Sequence, residues 1–205
     1  MDQHAAQSLP EHVDVLVVGA GISGIGAAHQ LLVDTPGKSF VVLEARDDVG
    51  GTWDLFRYPG VRSDSDLFTF GFAFRPWRSD VAIASGEAIR EYLHETVEAE
   101  GIRPHIRFRT RVERMEWSSA TGRWTVHVVE LGEPDGSGNE DGIGTRRTLT
   151  ASWVFAGTGY YRYDRGFLPE LPGLDEFAGE VIHPQHWPGW TRSVSIWAPP
   201  PARTA

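Results

Sequence analysis

The stretch VDVLVVGAGISG, residues 13–24, decides the fold of this chain. Its first half, Val13–Val18, is a short apolar run of the kind that forms a buried strand in a parallel sheet. Its second half, Gly19–Gly24, spaces three glycines as G-x-G-x-x-G, which permits a tight turn and a close backbone approach to a diphosphate. Ala27–Val33 then has the composition of a helix body, and free N–H groups at a helix N-terminus bind phosphate. The stretch therefore predicts a strand, a phosphate-binding turn and a helix.

A second predicted strand completes a βαβ unit. Asp34–Ser39 (DTPGKS) is rich in turn-forming residues, and Phe40–Glu44 (FVVLE) is an apolar run that ends in a carboxylate, 20 residues after Gly24. At this position an acidic side chain bonds a ribose hydroxyl in dinucleotide-binding domains. Glu44 would repel a 2′-phosphate, so it favours the adenosine of FAD or NAD over that of NADP. The pattern predicts a Rossmann-like α/β domain with a dinucleotide site; the alternative is an ordinary strand–turn–helix without a ligand.

The rest of the chain predicts one further long helix and an antiparallel meander added to the parallel sheet, giving three layers. The helix is Ser85–Glu100, with Ser85 as N-cap and apolar residues at a spacing of four. Four segments are predicted strands: Ile106–Phe108, Arg111–Trp117, Trp124–Leu131 and Leu149–Ala156. Residues 45–80 predict long functional loops with short helical turns, whose aromatic residues alternate from Phe68 to Trp77 as in a strand or a packed loop and line the core or a pocket. Glu130–Gly142, with five acids and no base, predicts a mobile hairpin tip.

Composition narrows the classes of function. Among 205 residues, 19 Lys and Arg stand against 28 Asp and Glu, and this net charge of -9 argues against nucleic acid as a partner. No run reaches the ~18 apolar residues of a membrane span, and residues 1–12 lack the layout of a signal peptide. We therefore expect a cytoplasmic protein with a flexible N-terminus, no integral membrane segment and no obligate protein partner.

The absence of cysteine excludes a disulfide framework, a thiolate metal site and the dithiol of flavin-dependent disulfide reductases. His183 and His186 have the i, i+3 spacing of a metal pair. Pro184 argues against a helix between them, however, and the sequence offers no evident third ligand. No metal site is therefore predicted.

Two longer motifs carry a resemblance to a known enzyme family. Gly51–Asp64 (GTWDLFRYPGVRSD) matches the pattern G-x-W-x-x-x-x-Y-P-G-x-x-x-D, and Phe177–Pro188 (FAGEVIHPQHWP) matches F-x-G-x-x-x-H-x-x-x-W-P at every fixed position. Both motifs resemble the fingerprints of Baeyer–Villiger monooxygenases, which are class B flavoproteins. Three segments resemble the mycobacterial ethionamide-activating branch in particular: Gly50–Asp66, Gly159–Tyr163 and Ile182–Pro188. The resemblance covers about residues 11–188.

The resemblance implies an FAD- and NADPH-dependent monooxygenase. In such enzymes NADPH reduces FAD, and O₂ then reacts at the flavin C4a carbon. An oxygen atom is inserted beside the carbonyl of a ketone, or is transferred to the sulfur of a sulfide or thioamide. Small ketones, sulfides or thioamides and O₂ are therefore the expected substrates.

The resemblance also assigns residues to the cofactors. The residues expected to contact FAD are Gly19, Gly21, Ser23 and Gly24 at the pyrophosphate, Glu44 at the adenosine ribose, Val112 at the adenine through its backbone, and Thr52, Trp53, Asp54 and Leu55 along the flavin. Asp64 would lie near the isoalloxazine ring and, with Arg62 and Ser63, would face NADPH. His183 would lie on the linker between the FAD and NADPH domains and help them move, without acid–base work. As alternatives, Gly50–Gly51 could be a plain loop and Asp64 a solvated carboxylate.

The last segment departs from the family pattern. Residues 13–176 are expected to form the FAD-binding domain and residues 177–188 the interdomain linker, after which the family continues into an NADPH domain with a second glycine fingerprint. Residues 189–205 instead contain Pro-Pro-Pro and no such fingerprint. This predicts an aberrant, disordered tail produced by a frameshift or premature stop after Pro188, a missing NADPH domain, and little NADPH-driven turnover by the chain alone. The alternatives are a non-catalytic FAD-binding module, a gene remnant, and a flavin-containing N- or S-oxygenating monooxygenase.

Overall fold

The computed structural model describes residues 8–132 and 144–188. Most of the expected hairpin tip and the whole of the expected tail 189–205 lie outside these residues, as does the start of the expected flexible N-terminus. The described helices and strands are, in chain order, β1 (His12–Val18), α1 (Ile22–Asp34), β2 (Phe40–Leu43), α2 (Thr52–Leu55), α3 (Leu67–Phe70), α4 (Gly86–Ala99), β3 (Ile106–Arg107), β4 (Thr110–Ser118), β5 (Arg123–Glu130) and β6 (Thr145–Ala156). Short 3-10 turns lie at Arg103–His105, Leu174–Glu176 and Pro184–His186.

The described strands form one six-stranded sheet in the order β3-β2-β1-β6-β5-β4. Strands β3, β2, β1 and β6 are parallel, whereas β6, β5 and β4 are antiparallel. Strand β6 joins the two halves, since its residues 145–151 pair with β5 and its residues 150–156 pair with β1. The predicted α/β fold, a parallel sheet with an added antiparallel meander, is confirmed.

Two apolar clusters cover the two faces of the parallel strands. On one face α1 and α4 contact β1 and β2 through a cluster that includes Val17, Ile25, Val42, Ile89 and Leu93. On the other face β5 and β6 fold back over β1 and β2, and the cluster there includes Leu16, Val41, Val126, Val128 and Leu149. Helices, parallel strands and meander therefore form three layers. Full burial of such aliphatic side chains contributes about 1.5–3 kcal/mol each.

The boundaries of two elements differ by more than one residue from those predicted. Helix α1 begins at Ile22, inside the glycine motif, and not at Ala27, because the turn delivers the chain directly into helical geometry. Strand β6 begins at Thr145, before the predicted start, because its pairing with β5 extends to that residue. Helix α4 is confirmed, and the Ser85 Oγ accepts a hydrogen bond from the Ala88 N–H at 3.2 Å as predicted for an N-cap.

The run of alternating aromatics is not a strand at its start. Leu67–Phe70 forms one helical turn, and the Asp66 Oδ1 caps it by accepting a hydrogen bond from the Thr69 N–H at 2.9 Å. The turn leaves Phe68 on the outer side with 62% of its surface exposed, so Phe68 is an exception among aromatics of which most were expected to line the core or a pocket. Phe70, Phe72 and Trp77 do pack against the core.

Candidate dinucleotide-binding site

The ends of three parallel strands define the candidate site. Gly19, Glu44 and Gly157 directly follow β1, β2 and β6, whose carboxyl ends lie at the same edge of the sheet. The Gly19 N–H donates to the Leu43 carbonyl at 2.8 Å, and the Gly157 N–H donates to the Val18 carbonyl at 2.9 Å. Ligands of such sheets bind at this edge.

Two glycines of the turn after β1, Gly19 and Gly24, are packed too tightly for a side chain. Gly19 has φ +96°, and a Cβ added to it would lie 2.7 Å from the Gly157 carbonyl oxygen. A Cβ on Gly24 would lie closer than 3.0 Å to the Gly19 carbonyl oxygen. A Cβ on Gly157 would lie 3.1 Å from the Val18 carbonyl oxygen. The start of α1 is therefore seated directly on the ends of β1 and β6, as the G-x-G-x-x-G spacing predicts.

The N-terminus of α1 faces this edge without a capping side chain. Gly21 is its N-cap residue, in extended geometry, and makes no side-chain cap hydrogen bond. Ser23 lies in the first turn with its side chain exposed. The leading N–H groups of the helix can therefore bind an anion, and the helix dipole favours one there.

A second glycine loop meets the first. Gly50 and Gly51 have φ +121° and +53°, which glycine adopts without strain. The Gly50 N–H donates to the Ala20 carbonyl at 3.0 Å, and a Cβ on Gly51 would lie 3.1 Å from the Gly21 Cα. We call this junction of two bare backbones the Gly21–Gly51 seam. The seam includes Gly21, the N-cap of α1, where an anion can bind. This position favours a binding role for Gly50–Gly51 over a plain loop.

Glu44 lies beside the seam with only 6% of its surface exposed. Its Oε2 accepts the Ala20 N–H at 2.7 Å, and its Oε1 accepts the Arg46 N–H at 2.9 Å. Burial raises the pKa of the carboxyl group, and these two hydrogen bonds partly oppose that rise. Each oxygen retains acceptor capacity, so the fixed carboxylate fits a ribose hydroxyl donor.

Asp54 directs its carboxylate toward three arginines. It lies in α2 and is 3% exposed. The Arg46 Nε donates to its Oδ2 at 2.9 Å, Arg57 donates to its Oδ1, and the Arg90 Nη1 lies 4.0 Å from the same oxygen. Asp54 thus gathers three guanidinium groups around α2, and one of them, Arg46, also interacts electrostatically with the Glu44 carboxylate beside the seam.

The residues expected at the nicotinamide lie on the loop between α2 and α3. Arg62 forms an isolated antiparallel bridge with Ser85, the α4 N-cap. Ser63 is buried and its Oγ donates to the Ser65 carbonyl at 2.7 Å, whereas Asp64 is exposed. The structure thus positions Ser63 through its own loop, and the role of the three residues toward NADPH stays a prediction.

Val112 lies on β4, the strand that starts beside Glu44. The Thr110 N–H at the start of β4 donates to the Glu44 carbonyl at 2.8 Å, so β4 starts beside the end of β2. The pairing of β4 with β5 shifts register between Val112 and Arg114, which interrupts the regular backbone hydrogen bonding at that point. An adenine contact through the Val112 backbone stays a prediction.

The two signature motifs contact each other although they are far apart in sequence. The rings of Tyr58 and Trp187, one from each motif, have centroids 6.4 Å apart. Phe56 of the first motif also meets Tyr161 edge-on, with centroids 5.0 Å apart. The loop after β6 is therefore held between the two motifs.

His183 has a structural role in this segment. It is the N-cap of the 3-10 turn Pro184–His186, and its Nδ1 accepts the Gln185 N–H at 3.1 Å. Its imidazole covers Gly166, where a Cβ would lie closer than 3.0 Å to the ring. The side-chain amide of Gln185, a residue only 9% exposed, donates to the Arg162 carbonyl at 2.7 Å and the Tyr163 carbonyl at 3.2 Å.

The structure brings three further residues to the site that the sequence did not assign to it. Gly157 could have been found, because it follows a predicted strand as Gly19 does. Arg46 carried no signal beyond its position two residues after Glu44. Tyr163 lies in the family-like segment Gly159–Tyr163, but nothing in that segment assigned it to the site, since it reaches the seam only when the chain returns after β6.

Neither a metal-ion site nor a membrane-spanning helix is found among the described residues. Within residues 8–132 and 144–188, no group of three or more His, Cys, Asp or Glu side chains is placed to hold a metal ion. In the same part of the chain, every helix is too short or too polar to traverse a bilayer.

Comparisons with known proteins agree with this geometry. A family model described as the NAD(P)-binding Rossmann-like domain matches residues 17–81. The chain is 51% identical over 180 residues to the FAD-containing monooxygenase EthA of Mycolicibacterium smegmatis. It is 46% identical over 180 residues to the probable FAD-binding monooxygenase AlmA of Acinetobacter baylyi. Each match covers 88% of this chain and 34% of the relative, so the chain spans about a third of the length of these relatives.

Solved structures extend the comparison to the fold. The crystal structure of cyclohexanone monooxygenase from Rhodococcus sp. Phi1 bound to NADP+ matches with a TM-score of 0.67 and 29% identity, over 89% of this chain and 32% of that one. The resemblance inferred from the two motifs is confirmed. By sequence and by fold, the chain is a homologue of the N-terminal part of FAD-containing monooxygenases, and its solved neighbours are Baeyer–Villiger monooxygenases.

Proposed function

We propose that this chain binds FAD along the Gly21–Gly51 seam and forms the flavin-binding part of an NADPH-dependent monooxygenase. The substrates are small ketones, sulfides or thioamides, together with O₂. The observation that carries the proposal is the Gly21–Gly51 seam at the uncapped α1 N-terminus, with the Glu44 carboxylate beside it. Its support is the 51% identity to an FAD-containing monooxygenase.

The described residues fit the cofactor. A diphosphate lies at the uncapped N-terminus of α1, where Gly21 and Gly51 leave room for it and Ser23 adds a hydroxyl. Arg46, one of the arginines around Asp54, is a cationic side chain near the same group. Glu44 accepts hydrogen bonds from the adenosine ribose, and its negative charge disfavours a 2′-phosphate at this position.

The bound FAD supplies the redox and oxygen-transfer chemistry, and the protein supplies its position and surroundings. Trp53, on α2, meets Phe70 edge-on with ring centroids 6.0 Å apart, and this apolar wall limits access of water to the flavin end of the seam. Thr52 and Leu55 share that helix.

We also assign roles to Val112, to the loop Arg62–Asp64 and to His183. Val112 meets the adenine through its backbone, supported by the hydrogen bond from Thr110 to Glu44. The loop Arg62–Asp64 faces the nicotinamide cofactor. His183 belongs to the linker signature, and the hydrogen bond that its Nδ1 accepts from the Gln185 N–H supports a positioning role rather than proton transfer.

The test is a titration of the purified chain with FAD, followed by flavin fluorescence. We expect one FAD per chain, and weaker binding of NADP+ than of NAD+ because of Glu44. Failure to bind FAD would contradict the proposal. Product analysis with a ketone and a sulfide, in the presence of NADPH, then separates the two oxygenation reactions, and bound FAD without either product would favour a non-catalytic module.

A further inference from the structure

The hydroxyl of Tyr163 lies at the Gly21–Gly51 seam. It is 3.5 Å from the position that a Cβ on Gly51 would take, and that same position is 3.1 Å from the Gly21 Cα. The two glycines contribute only backbone atoms here. Tyr163 therefore brings a side-chain hydrogen-bond donor to this seam, where the two glycines offer none.

Two neighbours hold Tyr163 in place. The Arg46 guanidinium lies over its ring, with the Cζ 5.9 Å from the ring centroid, and Arg46 is itself fixed by Asp54. The Gln185 amide binds the carbonyls of Arg162 and Tyr163. The hydrogen bond from the Gln185 N–H to His183 fixes the backbone from which that amide projects.

We propose that Tyr163 is a dinucleotide-binding residue whose hydroxyl donates a hydrogen bond to the diphosphate at the Gly21–Gly51 seam, and that Gln185 is the positioning residue that holds it there. This inference rests on the proposed function and extends it. It gives the second signature motif a task at the cofactor, because that motif contains both His183 and Gln185.

The state of the hydroxyl agrees with donation. Burial raises the pKa of Tyr163, and the nearby carboxylates of Glu44 and Asp54 raise it further against the opposing effect of Arg46. The phenol therefore stays protonated at neutral pH. A neutral O–H donor to a phosphate oxygen makes a charge-assisted hydrogen bond, which is stronger than one between two neutral groups.

The experiment compares the dissociation constants of FAD, ADP and adenosine for the wild-type chain and for Tyr163→Phe, with ADP and adenosine measured as competitors of FAD. We expect Tyr163→Phe to weaken FAD and ADP roughly tenfold each, the scale of one hydrogen bond to a charged group, and to leave adenosine unchanged. Tyr160→Phe is the matched control, since Tyr160 is 86% exposed and the substitution should change none of the three. Far-UV circular dichroism checks that each variant is folded.

Gln185→Met tests the positioning residue, because it removes the amide donors at similar volume. It should weaken ADP in the wild-type background but add nothing in the Tyr163→Phe background. This double-mutant cycle distinguishes an effect of Gln185 that acts through Tyr163 from a general loss of structure. A general loss of structure would weaken ADP binding by the same factor in both backgrounds.

The outcomes are distinguishable. A wild-type chain that does not bind FAD overturns both this inference and the proposed function. A wild-type chain that binds FAD, with Tyr163→Phe unchanged, overturns this inference alone. Tighter FAD binding by Tyr163→Ala would also overturn it, since that result would show that the ring takes the place of the dinucleotide.

Discussion

The candidate site has two walls that are built in opposite ways. The glycine turn, Gly19–Gly24, is fixed by backbone atoms of β1, β2 and the residue after β6, with no room for a Cβ at Gly24. The opposite wall, residues 159–188, exposes large apolar side chains such as Tyr160 and Phe167 and is held by the Gln185 amide and a few ring contacts.

The difference between the two walls explains how such a site can be selective for its ligand and still open to admit it. The turn is a fixed reference for the diphosphate and the ribose. The wall formed by residues 159–188 has few buried contacts, so it opens at lower free energy than the sheet. Ligand entry is therefore expected on the side of Tyr163 and not through the glycine turn.

Among the substitutions that test this difference between the two walls, Gly24→Ala is expected to have the largest effect. The added Cβ would meet the Gly19 carbonyl oxygen, a backbone atom that the sheet holds in place. We expect the free energy of unfolding to fall by at least about 3 kcal/mol, measured by urea denaturation with circular dichroism. Gly37→Ala is the control, because a Cβ there has no neighbour within 4 Å.

Gly166→Ala tests how easily the other wall, residues 159–188, accommodates an added Cβ. Its Cβ would come equally close to the His183 imidazole, which can rotate away. The loss of unfolding free energy should stay under about 1 kcal/mol. Equal losses for Gly24→Ala and Gly166→Ala would show that the two walls do not differ in rigidity.

For Asp54→Asn we expect a loss of unfolding free energy smaller than that of Gly24→Ala. The change leaves Arg46, Arg57 and Arg90 without their shared carboxylate, and an Asn amide would present N–H groups to them. Removing one partner of a buried ion pair costs 3–5 kcal/mol, and partial exposure of the arginines reduces the expected loss here to about 2 kcal/mol. Thermal unfolding measures it. Asp164→Asn, which removes a fully exposed partner of Arg162, should change nothing measurable.

The smallest effect concerns pH and Glu44. Burial raises its pKa in the folded protein, so the stability of the empty fold is greater below the ordinary pKa of a glutamate and is lost as pH rises through the raised value. FAD affinity should follow the opposite course, because the ribose hydroxyls need the carboxylate form. We expect FAD affinity to decrease as pH falls through this raised pKa.

Glu44→Gln should remove that pH dependence and weaken FAD roughly tenfold at neutral pH, the equivalent of one hydrogen bond to a charged group. Titrations of both proteins with FAD across the mildly acidic range measure the difference. A wild-type affinity that does not change with pH would contradict the proposed role of the Glu44 carboxylate.

The sequence predicted the parts that depend on near neighbours. Val13–Val18, the glycine turn and Glu44 form one continuous unit, so its apolar runs and glycine spacing were sufficient. Short helical turns were predicted within residues 45–80, but the position of the one at Leu67–Phe70 was not, because alternating aromatics fit either a strand or a packed loop. The contacts of Tyr163 with the seam and with Gln185 depend on tertiary return of the chain, for which one sequence carries no local pattern.

The shared strand β6 has a consequence for folding. Its pairing partner β1 lies about 138 residues earlier, as the hydrogen bond between His12 and Thr150 shows. Contacts of such long range slow folding, since a long loop must close before they form. During synthesis β1 would emerge well before β6 and would present an apolar, unpaired edge for that interval. A ribosome-bound chain that stops before Thr145 should therefore depend on chaperones, while one that has released Ala156 can complete its sheet.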